Sequence, residues 1–143
     1  MREVTGNLWS STIQRDITVI TTNGVVKNNG EAVMGRGCAL EAAQRFPGIA
    51  RTLGILLNSM GNHVHELKPN LWTFPTKHDW RDPSSISLIK RSAEELVTKA
   101  DADPSIKSVL IPRPGVGNGQ LNWPDVKAVI EHILDDRFTI ISF

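Results

Sequence analysis

Ala32-Val-Met-Gly-Arg-Gly-Cys-Ala-Leu-Glu-Ala-Ala-Gln-Arg-Phe46 opens as a turn punctuated by Gly35 and Gly37 and continues, with no breaker between, into an alanine- and leucine-rich segment. That second half has helix composition, because Ala and Leu give up little side-chain freedom in a helix. A turn that feeds a helix leaves the first N–H groups without carbonyl partners and places the positive end of the helix dipole beside them. Such an end is suited to holding an anion, phosphate above all.

A second glycine stretch, Pro114-Gly115-Val116-Gly117-Asn118-Gly119, lies far downstream and precedes Asn122-Trp123-Pro124, a helix start with Pro in its first turn. Either loop alone is weak evidence, since a glycine turn before a helix is more often only a tight connection. Each, however, follows a short apolar strand. If both leave the same edge of one sheet, they form two walls of a cleft around a pyrophosphate.

The strands are legible around these loops. Ile17 to Thr21 is β-branched throughout, the composition of a strand buried on both faces, and it stops at Thr22-Asn23-Gly24. Asn23 therefore lies at a strand's carboxyl end, where open α/β sheets hold ligands. Ser108 to Ile111 is a second buried strand. Glu3 to Thr5, Val64 to Leu67, Leu71 to Phe74 and Arg137 to Ser142 complete the set. Helical spacing of apolar residues predicts one helix over Ile49 to Met60, closed by Gly61-Asn62. A second is capped by Ser84 or Ser85 and carries Ile86, Ile89, Ala93, Leu96, Val97 and Ala100. The last buries Val126, Val129, Ile130, Ile133 and Leu134. Strands and helices alternate, which gives an α/β fold of three layers.

With 143 residues the chain suffices for one domain, 1–143. A net charge of +1 excludes a polybasic nucleic-acid binder, so any nucleic acid is engaged locally. One cysteine, Cys38, excludes an internal disulfide framework and suits a reducing compartment. No secretory leader or membrane-length apolar run is present, so the expected setting is the cytoplasm, without membrane association.

Phe74 to Pro83 is a long polar loop with an aromatic inside it, and such loops commonly carry function. On spacing alone its Lys77 reads as a solvated loop lysine. Trp80 and Arg81 either form an aromatic and cationic rim for a nucleobase or pin the loop to the domain. Arg36 either projects into solvent or contacts a substrate. His63 and His65 share a strand face but lack a third ligand, so no metal site is expected. Cys38 reads as a small buried filler.

Val33-Met34-Gly35-Arg36-Gly37-Cys38-Ala39-Leu40, downstream of Ile20-Thr21-Thr22-Asn23, together with Pro114 to Trp123 and the opening Thr5-Gly6-Asn7-Leu8, resembles the macrodomain family over nearly the whole chain. Phe74-Pro75-Thr76-Lys77, then Trp80-Arg81 and Ser84, is similar to the branch of DNA ADP-ribosyl glycohydrolase antitoxins and terminal ADP-ribose protein glycohydrolases. The resemblance implies a macrodomain-like α/β/α sandwich with a mixed central sheet, a site for ADP-ribose and no cofactor. It places Asn7 and Leu8 at the adenine end; Phe143, just beyond the last strand, either stacks on adenine or frays as a terminal residue. Asn23 with Met34, Gly35, Arg36 and Gly37 falls beside the distal ribose. Pro114, Gly115, Val116, Gly117, Asn118 and Gly119 fall under the diphosphate.

Two departures from the family pattern stand out. Asn7 occupies a position where many macrodomains have Asp, so it accepts without charge assistance. Gly119 occupies the position at which protein-directed members carry a catalytic Asp. The polar stretch Lys27 to Glu31 is also longer than the pattern leads one to expect. By resemblance Lys77 is the catalytic candidate at the anomeric carbon, as an amine that attacks or an ammonium that stabilises charge. The implied activity is hydrolysis of the bond joining ADP-ribose to a DNA base or protein side chain, by a monomeric enzyme with local DNA contact. A non-catalytic ADP-ribose reader and an ADP-ribose 1″-phosphate phosphatase are the alternatives.

Overall fold

The computed structural model describes residues 1–143. Its centre is a six-stranded sheet of β1 (Arg2–Thr5), β2 (Ile17–Thr22), β3 (Glu66–Lys68), β4 (Leu71–Pro75), β5 (Val109–Pro112) and β6 (Phe138–Ser142), in the order β1-β6-β5-β2-β4-β3. Every pairing is parallel except β3 against β4. The sheet is therefore mixed through a single antiparallel edge.

Alternation along the strands decides which helices cover which face. Ile17, Val19, Phe74, Val109, Ile111, Phe138 and Ile140 point to one side, into a core shared with α3 (Ile86–Asp101) and α4 (Trp123–Ile130). Ile20, Leu71, Leu110 and Ile141 point to the other, against α1 (Gly37–Arg45) and α2 (Ile49–Met60). Because both faces are covered, β2 is buried along nearly its whole length as a β-branched run and β5 as an apolar one. β1, at the sheet edge, is exposed along its whole length.

Three local boundaries differ from the sequence reading. β3 begins at Glu66 and not Val64, because the Val64 N–H donates to the Glu95 carboxylate and the His65 N–H to the Thr73 hydroxyl. Those donors are used by side chains, and the ladder starts after them. α4 ends at Ile130; Leu134 is buried as expected but lies in the turn that follows, and Val129 and Ile133 are only partly buried. The second glycine stretch does not run straight into α4. It forms one 3-10 turn, Gly117–Gly119, followed by Gln120 in the left-handed region, and α4 starts only at Trp123.

The long stretch between β2 and α1 is fixed to α2. Gly30 packs its carbonyl so close to Gly54 that a Cβ there would stand 2.0 Å from it. The Ala32 N–H donates to the Ala50 carbonyl at 2.8 Å. The polar insertion is thus anchored against a helix, and it delivers Val33 to Gly37 to the carboxyl end of β2.

Candidate functional site

A cleft of about 800 Å³ opens along the carboxyl ends of β6, β5, β2 and β4. Its floor is Thr21 to Asn23, its two long walls are the glycine turns at 33–37 and 115–119, and its ends are marked by Leu8 with Phe143 and by Lys77 with Trp80. The site lies where parallel topology places ligands, outside the strand ends at which connections diverge to the two faces. Arg36, Lys77 and Arg113 line it, with Glu41 as the sole carboxylate. The balance is basic.

The first wall is the expected one. Arg36 is extended, Gly37 begins α1 at φ +57°, and the first intrahelical bond is the Leu40 N–H to the Arg36 carbonyl. The N–H groups at the start of α1 have no carbonyl one turn earlier, so they are available to an anion. The second wall supplies backbone of a different kind. Gly115 sits at φ +77° with its Cα against Ile89, Leu121 and Ser84, where any Cβ would collide. The start of α4 is not in the cleft; the Trp123 indole donates to Glu3 and its ring lies 4.9 Å from the Arg113 guanidinium. The backbone groups that this wall offers to the cleft are therefore those of the 115–119 turn itself.

The walls nearly touch. A Cβ on Gly37 would lie 3.4 Å from the Asn118 amide nitrogen, within contact of the opposite turn. Lys77 spans the remaining gap: its Nζ donates to the Asn118 carbonyl at 3.1 Å and to the Trp80 carbonyl at 3.5 Å. The backbone carrying Lys77 is itself tied down. The Thr76 N–H donates to the Thr22 carbonyl, Asn62 Nδ2 to the Lys77 carbonyl and the Gly24 N–H to the His78 carbonyl. The loop from β4 is held to the end of β2, and its lysine is aimed across the cleft.

Leu8, Asn23, Met34, Gly35, Arg36, Gly37, Lys77, Trp80, Gly115, Val116, Gly117, Asn118, Gly119 and Phe143 all line this cleft. Asn23 is also a clamp: its Oδ1 accepts from the Val25 N–H and its Nδ2 donates to the Val33 carbonyl. One amide hydrogen remains for a ligand. Phe143 is 95% exposed, so its ring is free on nearly all sides.

Three expected residues do not line it. Asn7 turns its Oδ1 to the Trp9 N–H at 2.8 Å, closing its own turn instead of facing the cleft. Pro114 is buried beneath the loop that it introduces. Arg81 folds back on Asp79, with two side-chain hydrogen bonds and one from its backbone. Those bonds hold the Asp79 carboxyl down at about 2 and raise Arg81. Trp80, 41% exposed, forms the rim without its neighbour.

The cleft also contains Glu41, Thr76, Ser84 and Arg113, which sequence reasoning did not assign to it. Ser84 is buried, its hydroxyl has no partner, and its Oγ would lie 2.4 Å from a Cβ on Gly119. This explains the glycine at 119: the space that a side chain would enter holds Ser84. Only helical spacing could have pointed to Glu41, three residues beyond Cys38 on α1. Burial pushes the Cys38 thiol up, against hydrogen bonds from Thr21. His63 and His65 are occupied elsewhere, with the Glu95 carboxylate and the Gly61 carbonyl.

A parallel sheet with one antiparallel edge, two helices on each face and a cleft walled by glycine turns at the strand ends together define this chain as a macrodomain. It belongs to the DarG-like branch of that family. No family-level sequence profile matches it. It is 28% identical over 147 residues to a DNA ADP-ribosyl glycohydrolase of Thermus aquaticus, covering 94% of this chain and 38% of that protein. It is 32% identical over 110 residues to the protein of the same name from Mycobacterium tuberculosis, covering 69% of this chain and 31% of the other. The solved macrodomain of Mycobacterium tuberculosis DarG matches at a TM-score of 0.80 and 26% identity, over 99% of this chain and 97% of that one. The chain thus spans well under half the length of the curated relatives it matches.

Proposed function

We propose that this macrodomain binds ADP-ribose in the cleft and hydrolyses the glycosidic bond that joins it to a modified base in DNA. The observation that carries the reading is the Lys77 amine, fixed across the cleft to the Asn118 carbonyl beside both glycine turns. The names of the curated relatives support the substrate class. The apolar end with Leu8 and Phe143 takes the adenosine, the backbone of the two turns takes the diphosphate, and the distal ribose reaches Lys77. Trp80 and Arg36 face what is attached to that ribose.

The residues around Lys77 limit the mechanism. Glycosidases that use paired carboxylates need two within several ångströms of the scissile bond. The cleft has one, Glu41, on α1 and not on the loop of Lys77. Lys77 therefore acts without a carboxylate partner. As a neutral amine it attacks the anomeric carbon while the bond to the base breaks, the departing nitrogen keeping the electron pair and taking the proton that the amine loses; the resulting glycosylamine opens to an imine, which water hydrolyses to release the sugar from the enzyme. As an ammonium it instead stabilises the charge that develops as water attacks the anomeric carbon and the base nitrogen leaves with the bonding pair and the proton that water gives up. Treatment with borohydride during turnover separates the two, because only the first leaves ADP-ribose covalently reduced onto Lys77.

The deciding experiment compares wild type with Lys77→Ala on ADP-ribosylated DNA, ADP-ribosylated protein and ADP-ribose 1″-phosphate. Release from DNA that is lost in the variant, with ADP-ribose affinity retained, supports the proposal. Binding without release by the wild type leaves a reader module. Phosphate release as the only activity makes it a phosphatase. A single free cysteine, Cys38, suits action in the cytoplasm.

A further inference from the structure

We infer that Glu41 is the residue that selects the base at the adenosine end of the cleft, accepting a hydrogen bond from the exocyclic amine of the purine. The inference rests on the ADP-ribose reading and adds to it the residue that distinguishes adenine from a base carrying a carbonyl at that position.

Three observations lead there. Asn7, the neighbour of Leu8, has one lone pair of its Oδ1 taken by the Trp9 N–H, and its side chain does not line the cleft. Second, Glu41 is the cleft's sole carboxylate, and neither an ion pair nor a hydrogen bond engages it within the protein. A lone carboxylate among groups that otherwise favour an anionic ligand costs affinity through repulsion. That cost is offset only if the carboxylate meets a donor.

Third, the helix geometry sets where Glu41 points. It lies three residues after Cys38, whose Sγ is 3.3 Å from the Thr21 hydroxyl on the cleft floor. It lies four residues before Arg45, whose guanidinium is 4.9 Å from the Trp9 ring. Residues 38, 41 and 45 share one face of α1. Glu41 is therefore aimed between the floor and the Leu8–Trp9 turn, toward the end lined by the apolar Leu8, Ile141 and Phe143. A flat ring in that end presents its edge to Glu41. The strongest donor on the edge of adenine is the amine.

The test is calorimetry with ADP-ribose and with inosine diphosphate ribose, in which a carbonyl replaces the amine, on wild type, Glu41→Ala and Glu41→Gln. Wild type is expected to prefer ADP-ribose by roughly tenfold or more, the size of a hydrogen bond to a charged acceptor. Glu41→Ala should abolish that preference by losing ADP-ribose affinity. Glu41→Gln should narrow it from the other side, since an amide can donate to the carbonyl. Alanine is the best helix former, so the variant is expected to fold, and an unchanged melting curve checks this. An equal loss for both ligands, the signature of a ribose hydroxyl contact, overturns the inference. So does an unchanged preference in Glu41→Ala. Failure of wild type to bind either ligand removes the ADP-ribose reading itself, a different result from tight binding of both.

Discussion

Lys77 Nζ lies 3.1 Å from the Asn118 carbonyl, so one side chain joins the loop after β4 to the glycine turn after β5. An amine tied to a backbone carbonyl has few rotamers left, and positioning of this kind is what catalysis at one carbon requires. Lys77→Ala is expected to lower release of ADP-ribose from DNA by roughly 10²–10⁴-fold, the usual span for loss of a positioned proton-transferring or nucleophilic group. Single-turnover kinetics on ADP-ribosylated DNA measure it. Lys77→Arg should not restore activity, because a guanidinium neither attacks nor gives up its proton.

Ser84 and Gly119 are matched to each other. The Ser84 hydroxyl is buried without a partner, and a Cβ on Gly119 would stand 2.4 Å from it. Gly119→Ala should cost about 1–3 kcal/mol from overpacking. Ser84→Ala should be neutral or stabilising, because it removes an unsatisfied polar group. In the double variant the cost of Gly119→Ala should shrink, and urea midpoints for the four proteins complete the cycle. Additive effects would mean that the two positions do not meet.

Gly54 inverts the usual helix rule. In the middle of a helix Ala is ordinarily better than Gly by about 1 kcal/mol. Here a Cβ would lie 2.0 Å from the Gly30 carbonyl, backbone that cannot move without displacing the stretch leading to the first glycine turn. Gly54→Ala is expected to destabilise by about 2–3 kcal/mol and to weaken ADP-ribose binding as well. Chemical denaturation and calorimetry on the same variant read both effects.

Asp79 should titrate far below an ordinary carboxylate. Arg81 holds it at about 2. A depressed carboxyl contributes fully above its unfolded value near 3.8 and loses that contribution as pH falls through 2. The Asp79–Arg81 fork is therefore intact across neutral pH, and the pH profile of release between 5 and 8 should carry no step from it. Carbon-detected NMR of the Asp79 carboxyl gives the midpoint directly; a midpoint near 4 would mean that the fork does not persist in solution.

Cys38 should be unreactive in the native protein. Burial raises its thiol, so thiolate is scarce at neutral pH. Cys38 is half-buried at the cleft wall, so labelling with a thiol-specific disulfide reagent at pH 7.5 should be much slower than that of an ordinary exposed thiol and become fast in denaturant. Prompt labelling of the folded protein would contradict this.

Much of the fold was written locally in the chain. The β-branched run at Ile17 to Thr21, the apolar run at Ser108 to Ile111 and the glycine punctuation at 35, 37, 115 and 117 each announce their own conformation. A strand buried on both faces must be apolar, and a turn at positive φ wants glycine. The anion-binding start of α1 could be predicted for the same reason. Where a boundary moved, as at Val64 or past Ile130, a side chain or a turn elsewhere had taken up the backbone donors.

What only the tertiary structure decided is which groups meet. That Asn7 caps its own turn at Trp9, that Arg81 folds onto Asp79 and that Gly119 yields its space to Ser84 all depend on partners the sequence pattern did not pair with them. Lys77 reaches a carbonyl 41 positions away, and Glu41 is the cleft's lone carboxylate because of how α1 lies over the sheet. Backbone preference acts over a few residues, so it can be read from composition. A contact between distant segments is fixed by sheet order and packing, and those exist only once the chain has folded.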